Sequence, residues 1–413
     1  MVSSIAVPIS QIGGRKAASS LVALTALPPL SLYIHWPWCV KKCPYCDFNS
    51  HEFNAAAGAN EINRATEDAY IQALLRDLEN ELPRIWGRRV YTVFIGGGTP
   101  SLMRPQALDT LLAGIRARLP LEADAEITLE ANPGTVEASR FADYAAAGVN
   151  RVSVGVQSFN SQHLAALGRI HDGAQAMNAV QAAVKAIARV NVDIMYGLPS
   201  QTVAQAAQDV SQAIALGAGH ISAYHLTLEA NTYFHRYPPP LPDDDVCADM
   251  QEGNHALLTT AGFVHYETSA YAQPLQRSQH NQNYWAFGDY IGIGAGAHGK
   301  ISSPDKIVRT VKHKHPKAYL DSATDGRFMQ LETAVAAKEL PFEFMLNALR
   351  LQQGFDLAWF TERTGQPLAL VHSKINALQT KGLVNTFNQG TQTWLRPTAL
   401  GHRFLNDVVD AFL

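Results

Sequence analysis

Between Leu30 and Thr227 the chain alternates two hydrophobic periods. Apolar or β-branched runs at 30–34, 90–95, 126–130, 151–156, 190–195 and 220–226 read as strands. Between them, 69–82, 106–118, 138–147, 173–187 and 203–216 place apolar residues at helical spacing. Strands that are apolar at nearly every position are buried on both faces, as in a parallel sheet covered by helices. Six such strand-helix units with right-handed crossovers predict an α/β fold whose sheet curls into a partial (β/α)6 barrel.

The pattern breaks after Thr232. A proline-rich stretch at 237–242 leads into a helix ending near 261, and 262–319 is loop- and strand-like. Beyond 331, helices are expected at 333–349, 357–364 and 368–381, then a hairpin at 383–395 and a last helix. That order resembles a winged helix, an α+β module. The expected organisation is a flexible extension (1–29), a barrel core (30–230), a connecting region (231–330) and a winged-helix-like C-terminal domain (331–413).

Winged helices often bind DNA, so charge matters. Residues 331–413 hold seven Lys or Arg against seven Asp or Glu, which is not a phosphate-binding footprint. The module therefore reads as a protein contact or structural appendage, with no nucleic acid. The whole chain, 413 residues at net charge −3, has no apolar run long enough to span a membrane. Four cysteines, three of them clustered, make no disulfide framework and fit a reducing cytoplasm. Residues 1–29 carry Arg15, Lys16 and no acid, as transit peptides do, but one basic pair is thin evidence for targeting.

On a parallel sheet, ligand chemistry gathers at the C-terminal strand ends. There the chain places Cys39, Cys43 and Cys46, then Gly97-Gly98-Thr99, Glu130, Gln157 and Asp193. Cubane clusters normally take four thiolates, so Cys-x3-Cys-x2-Cys leaves one iron open. A structural zinc would need a fourth ligand at local spacing, and Cys43-Pro44-Tyr45-Cys46 alone could be a redox dithiol. Glycines at 97 and 98 allow close backbone approach to a ligand. Glu130 and Asp193 are carboxylates whose burial calls for a partner, either a ligand or a neighbour such as Arg151 or Arg189.

The cysteine spacing resembles the radical S-adenosylmethionine (SAM) superfamily. Tyr-Ile-His-Trp-Pro, Cys-Pro-Tyr-Cys-Asp-Phe, Gly-Gly-Gly-Thr-Pro-Ser, Glu-Ala-Asn-Pro, Gly-Val-Gln-Ser-Phe and Asp-Ile-Met-Tyr-Gly-Leu-Pro narrow the resemblance to its HemN/HemW group. The resemblance implies a [4Fe-4S] cluster on Cys39, Cys43 and Cys46. It also implies SAM contacts at Tyr33, Gly97, Gly98, Thr99, Glu130, Gln157, Arg169 and Asp193. One branch of the group, oxygen-independent coproporphyrinogen dehydrogenase, continues to a fourth cysteine where this chain has Phe48. His280-Asn281-Gln282-Asn283-Tyr284-Trp285 is similar instead to the signature of the HemW branch, which implies haem binding and transfer to respiratory proteins. His280 is the candidate haem ligand, with Tyr284 and Trp285 packing on the porphyrin. Cys247 could also bind iron, although a lone cysteine is usually a small buried hydrophobe. A basic stretch, Lys306, Arg309, Lys312, His313, Lys314, His315 and Lys317, could meet propionates or be a solvated strand face. Peripheral membrane association and a homodimer are both compatible with the resemblance.

Overall fold

A computed structural model describes residues 22–53 and 62–413. Twelve strands make one sheet: β1 (Leu30–Trp36), β2 (Val90–Gly97), β3 (Leu121–Ala131), β4 (Arg151–Gln157), β5 (Arg189–Tyr196), β6 (His220–His225), β7 (Val264–Glu267), β8 (Ala270–Ala272), β9 (Asp289–Ile293), β10 (His298–Ser303), β11 (Lys306–Lys312) and β12 (Met329–Ala334). Across the sheet the order is β12, β11, β10, β9, β1, β2, β3, β4, β5, β6, β8, β7. The seven neighbours from β9 to β6 run parallel. The pairs outside them are antiparallel. Among the described residues no pairing joins β12 to β7, so the barrel is partial.

Helices Arg64–Ile85, Pro105–Arg118, Thr135–Ala147, Gly173–Ala186 and Val203–Ala215 cover the outside. Their starts are set by local chemistry. The Asn63 side chain accepts from the Ala65 amide, and Asp172 with Gln175 and Thr202 with Gln205 form capping boxes. Leu32, Ile34, Val93, Ile95, Leu129, Val152, Val154, Val192 and Ile194 are fully buried in the core with these helices. Because side chains alternate along a strand, the intervening residues face the barrel interior. Those residues include Thr92, Thr128, Ser153, Asn191, Asp193 and Ser222, all buried and polar. This interior suits a polar ligand.

Three expectations change. Residues 231–330 do not merely connect, since β7 to β11 extend the main sheet and β9 pairs in parallel with β1. The helix expected from 333 starts at Leu340, because Met329–Ala334 pairs with β11 as an edge strand. Of the N-terminal extension, residues 1–21 lie outside the described residues, and 22–29 are docked. Val22 and Leu24 are buried in the C-terminal core, and the Leu24 amide donates to the Pro304 carbonyl at 2.9 Å.

The C-terminal part has helices Leu340–Ala348, Ala358–Thr364 and Ala369–Thr380 against a three-stranded sheet of Phe355–Asp356, Gln392–Pro397 and Val384–Gln389, the winged-helix order. Its core gathers Phe344, Phe355, Phe360, Val371 and Leu395, and it takes in Trp285 and Phe287 from the segment below the barrel. Among the described residues no helix is long and apolar enough to cross a membrane.

Candidate functional site

The loop after β1 carries Cys39, Cys43 and Cys46, all free thiols, with Cys39 buried and the others half-buried. The glycine turn after β2 is laced to that loop: the Gly98 amide donates to the Trp36 carbonyl at 2.6 Å and the Thr99 amide to Trp38 at 2.7 Å. Glycine is required in this turn. Gly97 has φ +119°, and a Cβ on Gly98 would lie 2.5 Å from the Trp38 oxygen. The Thr99 hydroxyl then reaches Cys39 Sγ at 3.4 Å.

From Thr99 a polar ring runs across the strand ends. Asn132 Nδ2 donates to Thr99 Oγ1 at 2.9 Å, and its Oδ1 accepts from Arg169 at 2.8 Å. Arg169 also donates to the Gly155 carbonyl at 2.7 Å and lies 3.6 Å from Cys43 Sγ. Three strands, β2, β3 and β4, are thereby tied to two cysteines of the loop after β1. Inside the ring, a cleft is lined by Gly98, Thr99, Glu130, Asn132, Ser153 and Asp193.

Glu130 accepts from the Gly97 amide at 3.0 Å. Burial pushes its carboxyl up to about 7, against the Gly97 hydrogen bond that lowers it. Asp193 is fixed by Ser153 Oγ at 3.0 Å and Asn191 Nδ2 at 2.8 Å. Arg189, a neighbour that might have been its partner, pairs with Glu126 at 2.8 Å instead. Gln157 closes the strand with a left-handed φ of +70°, a conformation a non-glycine residue keeps only when its surroundings impose it. Tyr224 donates to its Oε1. Tyr33 donates to His35 Nδ1 at 2.9 Å, and His35 Nε2 donates to the Asn49 carbonyl in the cysteine loop at 2.9 Å.

The donor set fits a metal cluster with a cationic ligand. Burial raises the Cys39 thiol to about 11 and also raises Cys46, so without a cation both stay protonated. Metal ligation is what would hold them as thiolates. Buried polar atoms facing the mouth lack partners: Gln157 Nε2 and Arg169 Nε. Of the nine residues expected to bind SAM or haem, Gly97, Gly98, Thr99, Glu130, Gln157 and Asp193 come from the upper parts of strands around this mouth, Arg169 reaches it from the loop ahead of the helix Gly173–Ala186, and Tyr33 stands lower on β1.

The ninth, His280, lies in the helix Gln279–Trp285 under the opposite end of the barrel, 1% exposed. Thr92 donates its proton to Ser31 Oγ, so its oxygen accepts from His280 Nδ1 at 2.8 Å. His280 Nε2 is then unprotonated and accepts from the Tyr284 hydroxyl at 2.9 Å. Both ring nitrogens are engaged, and the lone pair that iron would need is taken. Tyr284 is half-buried beside it, and Trp285 sits in the C-terminal core under the Arg350 guanidinium at 4.2 Å. In this structure the His280 ring is buried with both nitrogens bonded, so as it stands it offers iron no free lone pair.

Three residues of the basic stretch are paired within the chain, while Lys306, Lys314 and His315 are exposed. Lys312 is buried between Asp77 and Glu81, both at 2.6 Å, Arg309 pairs with Glu343 at 2.6 Å, and Lys317 pairs with Asp321 at 2.7 Å. Cys247 is buried beside Gly197, as a small hydrophobe would be. Sequence reasoning missed Ser153 and gave no role to His35, Asn132 and Tyr224, although the last two fall at the strand ends it singled out. Strand parity held a signal for Ser153, which precedes Gly155 and Gln157 at steps of two on β4.

A partial β/α barrel with three free cysteines after its first strand and a polar mouth defines a radical SAM protein. The Radical SAM superfamily profile matches residues 33–213, and that of the HemN C-terminal domain matches 335–400. The chain is 48% identical over 392 residues to the heme chaperone HemW of Escherichia coli (strain K12), covering 94% of this chain and 100% of that protein. It is 47% identical over 394 residues to HemW of Haemophilus influenzae, covering 94% and 98%. The chain belongs to the HemW family. The structure of the coproporphyrinogen III oxidase HemN from Escherichia coli shares the fold, with TM-score 0.76 at 22% identity over 94% of this chain and 90% of that one. Superfamily membership brings the use of SAM and a [4Fe-4S] cluster.

Proposed function

We propose that this chain is a haem chaperone, taking haem as cargo and passing it to haem-accepting respiratory proteins. The observation that carries the reading is the 48% identity along the entire length of a protein named as a heme chaperone. Phe48 supports it, standing where the porphyrin-synthesising branch has a further cysteine. In this reading Cys39, Cys43 and Cys46 hold the cluster and leave an iron open for the methionine head of SAM. When bound, the pair supplies an electron and a sulfonium that accepts it.

The chain's own residues would do the rest. Gly97, Gly98 and Thr99 present backbone and hydroxyl to the methionine head, with Arg169 near its carboxylate. Glu130 and Asp193 face a cation with two carboxylates, and Gln157 offers its unpartnered Nε2. The haem iron takes its ligand from a residue other than His280, whose nitrogens are both bonded.

Anaerobic haem titration of the protein with and without its cluster tests this reading, alongside incubation with SAM, a reductant and coproporphyrinogen. A Soret shift that saturates, without conversion of coproporphyrinogen, is expected. Protoporphyrinogen formation would replace the reading by the synthetic one, and absence of any Soret change would leave a cluster protein without tetrapyrrole.

A further inference from the structure

Below the cleft, three rings form a column along the barrel interior. Tyr33 stacks on Phe94 at 6.3 Å between centroids and 24° between planes, and Phe94 stacks on His280 at 5.0 Å and 30°. At the top, Tyr33 is joined through His35 to Asn49, three residues beyond Cys46. At the foot, His280 is held on every side. Its backbone amide and that of Gln279 donate to the Glu126 carboxylate at 3.0 Å each, and Arg189 neutralises Glu126 from the other side. Asn283 of the same helix donates to Ser31 Oγ at 2.8 Å, and Tyr284 packs edge-on against Tyr290 at 4.5 Å. Trp285, the last residue of that helix, is set in the C-terminal core, where Arg350 also pairs with Glu267 at 3.1 Å.

We infer that His280 is a positioning residue for the SAM pocket: through Phe94 it sets the height and tilt of Tyr33, and through Tyr284 and Trp285 it fixes that setting to the C-terminal domain. The inference rests on the proposal that Tyr33 and the cysteine loop frame bound SAM. A neutral imidazole suits the task. Burial, with Arg151 nearby, holds the ring's pKa down to about 3, so it stays uncharged and keeps a single tautomer. One nitrogen accepts from Tyr284 and the other donates to Thr92, which fixes the ring plane on which Phe94 lies. Leucine fills similar volume but has neither the flat face nor the two hydrogen bonds. Glutamine restores part of the hydrogen bonding.

The test compares wild type with His280→Leu, His280→Gln, Phe94→Leu and the His280→Leu/Phe94→Leu pair, all reconstituted anaerobically. Iron and sulfide content reports the cluster, SAM affinity and the SAM-induced change in the reduced-cluster electron paramagnetic resonance report the pocket, and the Soret band reports haem. Stacked aromatic support is worth roughly 0.5–1.5 kcal/mol, so SAM affinity should fall by up to about tenfold in each leucine variant. The double variant should fall no further than the worse single one, because both changes break the same column. His280→Gln should recover part of the loss, and the Soret maximum should stay in place throughout.

A lost or shifted Soret band in His280→Leu with unaltered SAM affinity would overturn the inference and return the ring to haem. Additive losses, or wild-type SAM affinity in Phe94→Leu, would break the column. Should His280→Leu fail to fold, Phe94→Leu carries the decision, since it leaves every hydrogen bond of the helix intact. Wild-type protein whose cluster signal ignores SAM would sink the SAM reading itself, and this inference with it.

Discussion

Replacing Glu130 by Gln separates the charge of that side chain from its shape. The carboxyl is buried between the Gly97 turn and the inner wall, and its pKa rises from the ordinary 4.5 to about 7 because burial disfavours the anion. That difference corresponds to about 3 kcal/mol in favour of the neutral acid. A sulfonium arriving beside it favours the anion, so binding expels a proton at any pH below about 7. Through Glu130, SAM affinity should therefore climb as pH rises, by up to about tenfold per pH unit below 7, and level off above it. Without ligand the linkage has the opposite sign. The acid is neutral in both folded and unfolded chains below about 4.5, and stability declines as pH rises from there to about 7. Anaerobic calorimetric titration with SAM from pH 5.5 to 8, in two buffers of different ionisation enthalpy, reads both affinity and proton release. Glu130→Gln should bind SAM with a shallower profile and release about one proton fewer than wild type below pH 7, the remainder coming from the SAM amino group as it meets the iron. A flat profile in the wild type, or an equal slope in Glu130→Gln, would refute this account of the carboxylate.

Two further outcomes follow from contacts elsewhere. Gly98→Ala puts a methyl 2.5 Å from the Trp38 carbonyl, so the turn must leave the cysteine loop; reconstituted iron should fall well below wild type while far-ultraviolet circular dichroism is kept. Lys312→Met strands Asp77 in the core without a cation and leaves Glu81 only Arg84 at 3.2 Å, which should cost about 3–5 kcal/mol in denaturant unfolding at pH 7. Part of that loss should return below about pH 6, near where Asp77 already takes a proton in the intact network because burial raises it.

The strands of the barrel were legible because each is a nearly unbroken apolar run, and the site was legible because strand ends collect chemistry. Cys39, Thr99, Glu130, Gln157 and Asp193 could be assigned to one mouth before any coordinates. β9 to β12 were not legible, for a physical reason. Lys300 and Lys312 are buried residues there, and a lysine reads as solvent-facing unless its partners are known. Those partners are Asp289 for Lys300 and the remote pair Asp77 and Glu81 for Lys312. The burial of His280 was hidden for a similar reason. Its motif has the composition of a metal and porphyrin site, but the Thr92 hydroxyl and Glu126 carboxylate that bury it come from strands more than a hundred residues earlier in the sequence. Spacing carries local geometry well, but it carries nothing about which distant strand closes over a ring.

The two ends of the barrel solve opposite problems, and the contrast limits where haem can go. At the lower end the Glu126 carboxylate receives two backbone amides and a guanidinium, and the imidazole, hydroxyls and amide around it bond to one another. A ligand entering there would have to break that network and free Trp285 from a second hydrophobic core. At the upper end, polar atoms of Gln157 and Arg169 are buried without partners, a costly state that a ligand relieves. The ligand they favour is polar, because the walls between Glu130 and Asp193 carry carboxylates, hydroxyls and amides. A porphyrin, flat and apolar over most of its area, is matched neither by that interior nor by the sealed end. Under the proposed function, haem and SAM would therefore take different places on this chain, and a haem chaperone built this way would sense the cluster through the protein, not through direct contact inside the barrel.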